Sequence, residues 1–148
     1  MFCKRLSQST SAIFSRYSTQ GRQPHVKLHL AGAEGAHLFN ACEIDQLVID
    51  RVPHACSVIV TRTDLISPWR PEQFDAITAD DLTLVLPLGC EILLLGTGQR
   101  QRFPAPALLR ALIEAGIGVE AMSTPAACRT YNILVAEDRK VAAAVVLR

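Results

Sequence analysis

The hydrophobic pattern of the chain changes near Thr78. Before this residue, short apolar or β-branched runs alternate with turn residues and predict extended strands at 26–32, 36–40, 46–51 and 57–62. A Gly-containing turn separates the first two runs, which favours a hairpin. The connection at 66–74 carries Pro68, Pro71 and the only tryptophan, and its prolines exclude a helix interior. The first half is therefore predicted to be antiparallel.

After Thr78 the pattern alternates between strand and helix. Either Thr78 or Asp80 is expected to cap a short helix that runs through Leu86 and ends at 87–89. Continuous apolar runs predict strands at 90–96, 117–122 and 140–147, and amphipathic segments predict helices at 105–116 and 125–137. Thr124 is expected to be the N-cap of the last helix, with Pro125 as its first residue.

Uninterrupted apolar strands separated by helices indicate parallel pairing with both sheet faces covered. The predicted fold class is α/β, a three-layer sandwich with a mixed central sheet. In it, N-terminal antiparallel strands precede a βαβαβ half, and we expect both parts to join in one sheet. The length of 148 residues suits a single domain over 25–148.

The charge distribution narrows the set of partners. Residues 1–33 hold five basic side chains and no acidic one, whereas the remaining residues hold ten basic and fourteen acidic side chains. A mildly acidic body has no broad basic surface for nucleic acid, so no nucleic-acid partner is predicted. The apolar runs are too short or too interrupted to cross a bilayer, so no membrane span is predicted either.

Residues 1–24 are rich in Ser and Thr, basic and free of acids. This composition is typical of a mitochondrial presequence, and the alternatives are a disordered basic tail or an upstream extension from a misassigned start codon. The five cysteines are scattered without zinc-ligand spacing, which favours a reducing compartment. Neither a metal nor a cofactor is predicted.

The first candidate site is the loop Gly96–Arg102, which follows a predicted buried strand. Loops at the carboxyl ends of parallel strands line binding crevices, and backbone N–H groups together with Arg100 and Arg102 suit an anion. However, Gln101 replaces the third glycine of a dinucleotide motif, and the lysine of a P-loop is absent. Anion binding and a purely structural tight turn both remain open.

The second candidate site lies at the start of the last helix. A thiol in the first turn of a helix has a lowered pKa, which makes Cys128 a candidate nucleophile, although no histidine follows His54 to act as its base. Arg129, Thr130 and Asn132 are expected to hydrogen-bond the Gly-Thr-Gly turn. The candidate ligand- or partner-binding residues are Gly96, Thr97, Gly98, Arg100, Arg102, Cys128, Arg129, Thr130, Tyr131 and Asn132. No catalytic residue is assigned.

The series LLLGTG, a proline-started helix, GIGVEAMSTPAACRTYN and VAAAVVL resembles a family of small α/β proteins of largely unknown function. Its eukaryotic members include the mitochondrial complex I assembly factor 3 and an adipogenesis-associated protein, and Trp69 is similar to the bacterial members. The resemblance covers about residues 28–147 and is strongest from Ile92 onward. It implies a three-layer α/β fold with a mixed sheet, no established catalytic residues, and the binding of partner proteins during respiratory-complex assembly.

Together these observations favour a non-enzymatic interaction domain, linked to complex I assembly, that binds a protein partner or a small anionic ligand. The surface would be formed by Gly96–Arg102 and Arg129–Asn132. The alternative is an enzyme or an anion-binding protein that uses the Gly96–Gly98 loop and Cys128. The expected location is the bacterial cytoplasm, and the mitochondrial matrix, reached through residues 1–24, is the alternative.

Overall fold

The computed structural model describes residues 33–148, and the expectations for residues 1–24 and for the hairpin arm at 26–32 lie outside them. The described strands are β1 (Phe39–Cys42), β2 (Leu47–Ile49), β3 (Val52–His54), β4 (Val58–Thr61), β5 (Leu65–Ile66), β6 (Ile92–Thr97), β7 (Gly118–Met122) and β8 (Val141–Val146). The described helices are α1 (Ala79–Thr83), α2 (Pro106–Glu114) and α3 (Thr124–Ala136). Short 3-10 turns lie at Phe74–Ala76 and Leu86–Leu88.

The described strands form two sheets. The larger has the order β5-β4-β8-β6-β7, in which β6 is parallel to both β7 and β8, while β4 is antiparallel to β5 and β8. The predicted α/β class, the mixed sheet and the βαβαβ half are therefore confirmed. The expectation of one joined sheet is wrong for β1, β2 and β3, which form a separate antiparallel sheet.

A tight hairpin turn joins β2 and β3 within the smaller sheet. The predicted strand 46–51 ends at Ile49, because Asp50 and Arg51 adopt positive φ angles of 51° and 69° and form a two-residue turn into β3. The Asp50 carboxylate accepts a hydrogen bond from the Leu38 N–H at 3.0 Å. The Asn40 side-chain oxygen accepts one from the Arg51 N–H at 2.7 Å. Side chains thus support a turn that usually takes Asn or Gly.

The core has two parts, one on each face of the larger sheet. Leu94, Ala143 and Val145 pack on one face with residues of α3, β1 and β2. Leu93 and Leu95 pack on the other face with α1, α2 and Trp69. Because both faces of β6 and β8 are covered, every position on these strands had to be apolar or small, and the pattern looked continuous in sequence.

A threonine lies at the start of two helices, but only Thr78 is an N-cap. Thr78 is the N-cap of α1 and forms a reciprocal capping box with Asp81, as one of the two sequence alternatives expected. The N-cap of α3 is Ser123, so the expectation for Thr124 is wrong by one residue. The Thr124 hydroxyl is instead committed to the neighbouring strands.

Candidate functional site

The Gly-Thr-Gly turn closes the carboxyl end of β6 against α3 and β8. The Gly98 N–H donates to Thr124 Oγ1 at 3.0 Å, and the Thr124 N–H donates back to the Gly98 carbonyl at 2.7 Å. The Thr124 hydroxyl donates to the Val146 carbonyl at 2.5 Å. One buried threonine, the first residue of α3, therefore connects the ends of two parallel strands.

Steric limits explain both glycines of the turn. A Cβ at Gly96 would lie 2.6 Å from Val145 Cγ1 and 2.9 Å from Thr124 Oγ1. A Cβ at Gly98 would lie 2.9 Å from the carbonyl carbon of Arg148, and Gly98 also has a φ of 91°. These residues let backbone segments approach closely, which is the structural interpretation of the motif.

The Thr97 side chain holds the loop that follows. Its hydroxyl lies 2.6 Å from the Arg100 carbonyl oxygen and 3.0 Å from the Met122 carbonyl oxygen, and it accepts a hydrogen bond from the Arg102 N–H at 3.0 Å. The N–H groups of Gly98 and Arg102 thus already have acceptors inside the protein. Two donors that an anion cradle here would need are not available.

The side chains of this loop differ in their contacts and in their exposure to solvent. Arg102 donates to the Asp75 carboxylate at 2.8 Å, and its guanidinium carbon lies 5.6 Å from the centre of the Phe74 ring. Arg100 is exposed, and Phe103 is exposed to 80%. We call Gly96–Phe103 the turn surface. Phe103 was not among the residues predicted from the sequence. The one sign of it there is an aromatic residue placed between polar residues and a proline.

The second candidate group faces another part of the molecule. The Asn132 carboxamide donates to the Phe39 carbonyl at 2.7 Å and accepts from the Phe39 N–H at 3.0 Å, while the Tyr131 hydroxyl donates to the His37 carbonyl at 3.1 Å. Within residues 33–148, no hydrogen bond joins Arg129, Thr130 or Asn132 to the Gly-Thr-Gly turn, so that expectation is wrong. Eight residues of helix place Asn132 about 12 Å beyond Thr124, next to β1 rather than the turn.

Cys128 lies opposite a second thiol that sequence reasoning did not connect with it. The hydrogen bond with Cys42, followed by burial, raises the pKa of Cys128, which is 3% exposed. The same hydrogen bond, assisted by the charge of Arg129, lowers the pKa of Cys42. The pair therefore favours a thiolate at Cys42 on β1. Cys128 has the opposite shift from the one that a helix N-terminus alone would cause.

A small cavity of about 210 Å³ lies above this pair, and its lining includes Cys42, Pro125, Cys128, Arg129 and Asn132. We call the surface formed by Cys42 and Cys128–Asn132 the helix surface. The structure thus divides the predicted site into two surfaces, with Thr124 as the hydrogen-bonded link between the turn and the start of α3.

Two general features of the described residues bear on function. In the part of the chain from 33 to 148, no three His, Cys, Asp or Glu side chains are grouped so that they could hold a metal ion. Over the same residues, no helix has the length and apolar character needed to cross a membrane.

The fold and the site together define a small α/β domain whose parallel strands end at a hydrogen-bonded glycine turn. The chain belongs to the family "Protein of unknown function (DUF498/DUF598)", whose model matches residues 39–146. The family resemblance from the sequence is thereby confirmed.

Relatives of this chain carry different names. It is 35% identical over 75 residues to the "13 kDa major membrane protein" of Francisella tularensis, covering 51% of this chain and 61% of the relative. It is 35% identical over 99 residues to "NADH dehydrogenase [ubiquinone] 1 alpha subcomplex assembly factor 3" of Xenopus tropicalis, covering 66% of this chain and 52% of the relative. The chain thus spans about half to three-fifths of the length of these curated relatives.

The fold is also similar to a solved structure. A Bordetella parapertussis protein known from its crystal structure superimposes with a TM-score of 0.72 at 34% identity, covering 76% of this chain and 96% of the other. The expected link to the complex I assembly factors has support at the level of homology from the relatives that carry that name.

Proposed function

We propose that this chain is a non-enzymatic protein-interaction domain of the assembly-factor type and that the turn surface is its docking site. The observation that carries the proposal is the presentation of Phe103, exposed to 80%, beside the exposed Arg100 on a loop fixed by the Thr97 hydrogen bonds. Aromatic and arginine side chains that become buried on binding supply much of the binding energy in many protein interfaces. An apolar partner surface that carries a carboxylate would complement this pair.

The internal hydrogen bonds of the turn favour protein docking over anion capture. The Gly98 and Arg102 N–H groups already donate to threonine oxygens, and the Arg102 side chain is paired with Asp75. An anion would have to displace these bonds. A protein partner can instead contact the outward side chains without disturbing them.

The partner is proposed from the relatives. Because several of them are named for the assembly of NADH dehydrogenase, we place the docking partner among the subunits or assembly intermediates of that complex. The proposed place of action is the bacterial cytoplasm, with the mitochondrial matrix as the alternative. N-terminal sequencing of the native protein distinguishes them, because a mature start near residue 20 to 25 would indicate import and cleavage.

Affinity purification from the native host tests the docking proposal. The wild type should co-purify subunits of NADH dehydrogenase, and Arg100→Glu combined with Phe103→Ser should reduce this recovery at least about tenfold by removing the hot spot. The matched control is Arg110→Glu combined with Ile113→Ser, which changes an exposed arginine and an exposed isoleucine on α2. The control should retain the partners.

Two outcomes would contradict the proposal. One is undiminished recovery with the Arg100/Phe103 double variant while its melting temperature equals that of the wild type. The other is a native gel in which a strain lacking this protein assembles NADH dehydrogenase at the normal level.

The alternative function, catalysis or anion binding through Gly96–Gly98 and Cys128, has weaker support. Cys128 is buried, and its pKa is raised, so its thiol would be a poor nucleophile near neutral pH.

A further inference from the structure

A local irregularity in β1 decides which way the Cys42 thiol points. The register of β1 against β2 shifts between Phe39 and Ala41, where β1 contains one residue more than the facing part of β2. Side chains alternate between the two faces of a regular strand, so Phe39 and Cys42, three positions apart, would otherwise point to opposite faces. The extra residue of the bulge brings both side chains to the same face.

The burial of the paired residues agrees with this orientation. Phe39 pairs with Ile49 across the ladder, and residues that pair in this way share a face of the sheet. Cys42 pairs in the same way with Leu47. Apart from Cys42, which packs against the core, these residues are buried in the part of the core that also contains Cys128. The bulge therefore turns the Cys42 thiol toward α3.

The first turns of α3 place Cys128 opposite this thiol. Cys128 and Asn132 are four residues apart and therefore lie on one side of the helix. Asn132 bonds both backbone groups of Phe39, and the Cys128 side chain is hydrogen-bonded to that of Cys42. Strand and helix thus run alongside each other and hold the two sulfur atoms together.

Cys42 is the more accessible thiol of the pair. It is half-buried and lines the cavity of about 210 Å³, whereas Cys128 is 3% exposed. The hydrogen bond from Cys128 lowers the pKa of Cys42, burial opposes this shift, and the charge of Arg129 adds to it. An accessible thiol that ionises and a buried thiol in contact with it are the two parts that disulfide formation needs.

We propose that Cys42 and Cys128 form an oxidation site at which hydrogen peroxide converts the two thiols into a disulfide. The bond joins β1 to α3 and fixes the smaller sheet to the helix. The cavity beside the pair gives a reagent as small as peroxide access to Cys42. The proposal does not depend on the docking function of the turn surface.

The oxidation takes place in two steps. The Cys42 thiolate first attacks one oxygen of the peroxide, so that an S–O bond forms, the O–O bond breaks, and hydroxide leaves and takes up the thiol proton as water. The Cys128 sulfur then attacks the sulfenic sulfur of Cys42. The S–S bond forms, the S–O bond breaks, and hydroxide leaves and takes up the Cys128 proton. Two thiols lose two electrons in total, and one peroxide becomes two water molecules.

The burial of Cys128 does not hinder the second step, because the sulfur that it attacks is already its neighbour. The hydrogen bond with Cys42 is the largest cause of the raised pKa of Cys128, followed by burial. Oxidation of Cys42 removes the thiolate that holds the Cys128 proton. Cys128 therefore becomes easier to ionise at the moment when it is needed as the second nucleophile.

Oxidation of the reduced full-length chain tests the proposal without any substitution. The protein is treated with hydrogen peroxide, the remaining thiols are blocked, and the peptides are identified by mass spectrometry without reduction. A disulfide between Cys42 and Cys128 should form at least about tenfold faster than Cys56 is oxidised, and dithiothreitol should reverse it. Cys56 is the matched internal control, because it is also half-buried but is hydrogen-bonded to the Ser67 hydroxyl instead of a thiol.

Variants separate the roles of the two thiols. In Cys128→Ala the sulfenic acid at Cys42 has no second thiol, so dimedone should trap it in much larger amount than in the wild type. Ala41→Cys combined with Cys42→Ala moves the thiol to the other face of β1 and should form no disulfide with Cys128. Arg129→Gln should slow the first step about two- to threefold through loss of an exposed charge.

Three results would overturn the proposal. In the first, the wild type keeps both thiols in peroxide while Cys56 is oxidised. In the second, oxidised Cys42 is found as sulfinic acid or in a disulfide with another cysteine instead of with Cys128. In the third, the Ala41/Cys42 double variant forms the disulfide as fast as the wild type. The first two need no variant to fold, and loss of partner recovery in the Arg100/Phe103 variant has no bearing on any of them.

Discussion

Thr124 shows how one residue can support a whole turn. Its hydroxyl accepts a hydrogen bond from the Gly98 N–H and donates one to the Val146 carbonyl, and both hydrogen bonds are buried. Threonine is a common helix N-cap, and Thr124-Pro125 therefore looked like a cap in sequence. In the structure the hydroxyl bonds Val146 at the end of β8 instead, and Ser123 is the N-cap residue of α3.

Replacing the Thr124 hydroxyl should measure this link. Thr124→Val keeps the shape but leaves the Gly98 N–H and the Val146 carbonyl unpaired, and we expect a loss of about 2 kcal/mol in the free energy of unfolding. Thr124→Ser retains the hydroxyl and should lose about 1 kcal/mol or less. Urea denaturation of both variants gives the comparison, and a larger loss in Thr124→Ser than in Thr124→Val would show that the methyl group rather than the hydroxyl matters.

Gly98 and Gly116, two of the glycines with positive φ, allow the cost of backbone strain to be separated from the cost of close contact. Gly116 has a φ of 77° and no atom within 4 Å of the position that a Cβ would take, whereas at Gly98 the Arg148 backbone lies 2.9 Å from that position. Gly116→Ala should therefore cost about 1 kcal/mol for backbone strain alone. Gly98→Ala should cost about 2–3 kcal/mol, because close contact is added to strain. Thermal denaturation would contradict this if the two variants lost equal stability.

The two thiols of the helix surface should differ in reactivity. Hydrogen bonding from Cys128 lowers the pKa of Cys42, while that same contact and burial raise the pKa of Cys128. The reactive thiolate fraction grows as pH rises through the pKa, so iodoacetamide should modify Cys42 first at about pH 7.5. Peptide mass spectrometry over time follows each site. Faster modification of Cys128 than of Cys42 in the folded protein would contradict this prediction and support Cys128 as a nucleophile.

At the scale of elements, α1 is a short helix held by its cap. Asp81 accepts hydrogen bonds from the Thr78 N–H and hydroxyl, both at 2.7 Å, and from Arg70. These contacts, with Arg70 as the largest cause, lower the pKa of Asp81 from 3.8 to about 2. A carboxyl whose pKa is lower in the folded state stabilises the fold above its unfolded pKa and loses that effect as pH falls.

The stability of the protein should therefore contain a contribution from Asp81 that disappears between about pH 4 and pH 2. We expect a contribution of about 1–2 kcal/mol, reduced from the full value because Arg70 is exposed to solvent. Asp81→Asn should remove this pH dependence, and Asp80→Asn, which changes the exposed neighbour, should leave it intact. Denaturation curves across this pH range test it, and identical pH profiles for the two variants would contradict it.

The elements that sequence could predict are those whose pattern reflects burial alone. The strands β6 and β8 were visible because both of their faces are covered, and α2 was visible because Leu108, Leu109 and Leu112 form one stripe. The turn at Asp50-Arg51 was not visible, because its positive φ angles are supported by Asn40 and by the Leu38 backbone rather than by Gly. The residues of the turn do not themselves show that hydrogen bonds with Leu38 and Asn40 will stabilise it.

For the whole molecule, the arrangement of the two sheets depends on contacts between residues far apart in sequence. Asn132 is 93 positions from Phe39 in the sequence. Its carboxamide nevertheless hydrogen-bonds both the N–H and the carbonyl of Phe39, as the backbone of a neighbouring strand would. The polar character of Asn132 inside an apolar helix marked it as unusual, but sequence could not tell whether it served a turn, a ligand or a strand. The candidate site was thus predicted as a set of residues, while its division into two surfaces was not.

Asn132 should therefore control the attachment of the β1–β3 sheet to α3. Asn132→Ala leaves the N–H and carbonyl of Phe39 without that partner, although Tyr131 still packs edge-on against the Phe39 ring at 5.4 Å between centroids. Hydrogen exchange at Phe39 and along β1 should accelerate at least about fivefold, because local opening costs less. Exchange in β6 and β8 should change little.

Ile133→Ala is the matched control, since Ile133 is the next residue of α3 and is 55% exposed. It should leave exchange along β1 unchanged. If Asn132→Ala instead accelerates exchange equally across β1, β6 and β8, the sheets open as one cooperative unit and Asn132 stabilises the whole fold. If neither variant affects β1, the apolar contacts of Phe39 with the core suffice to hold the smaller sheet, and the side-chain amide is dispensable for that attachment.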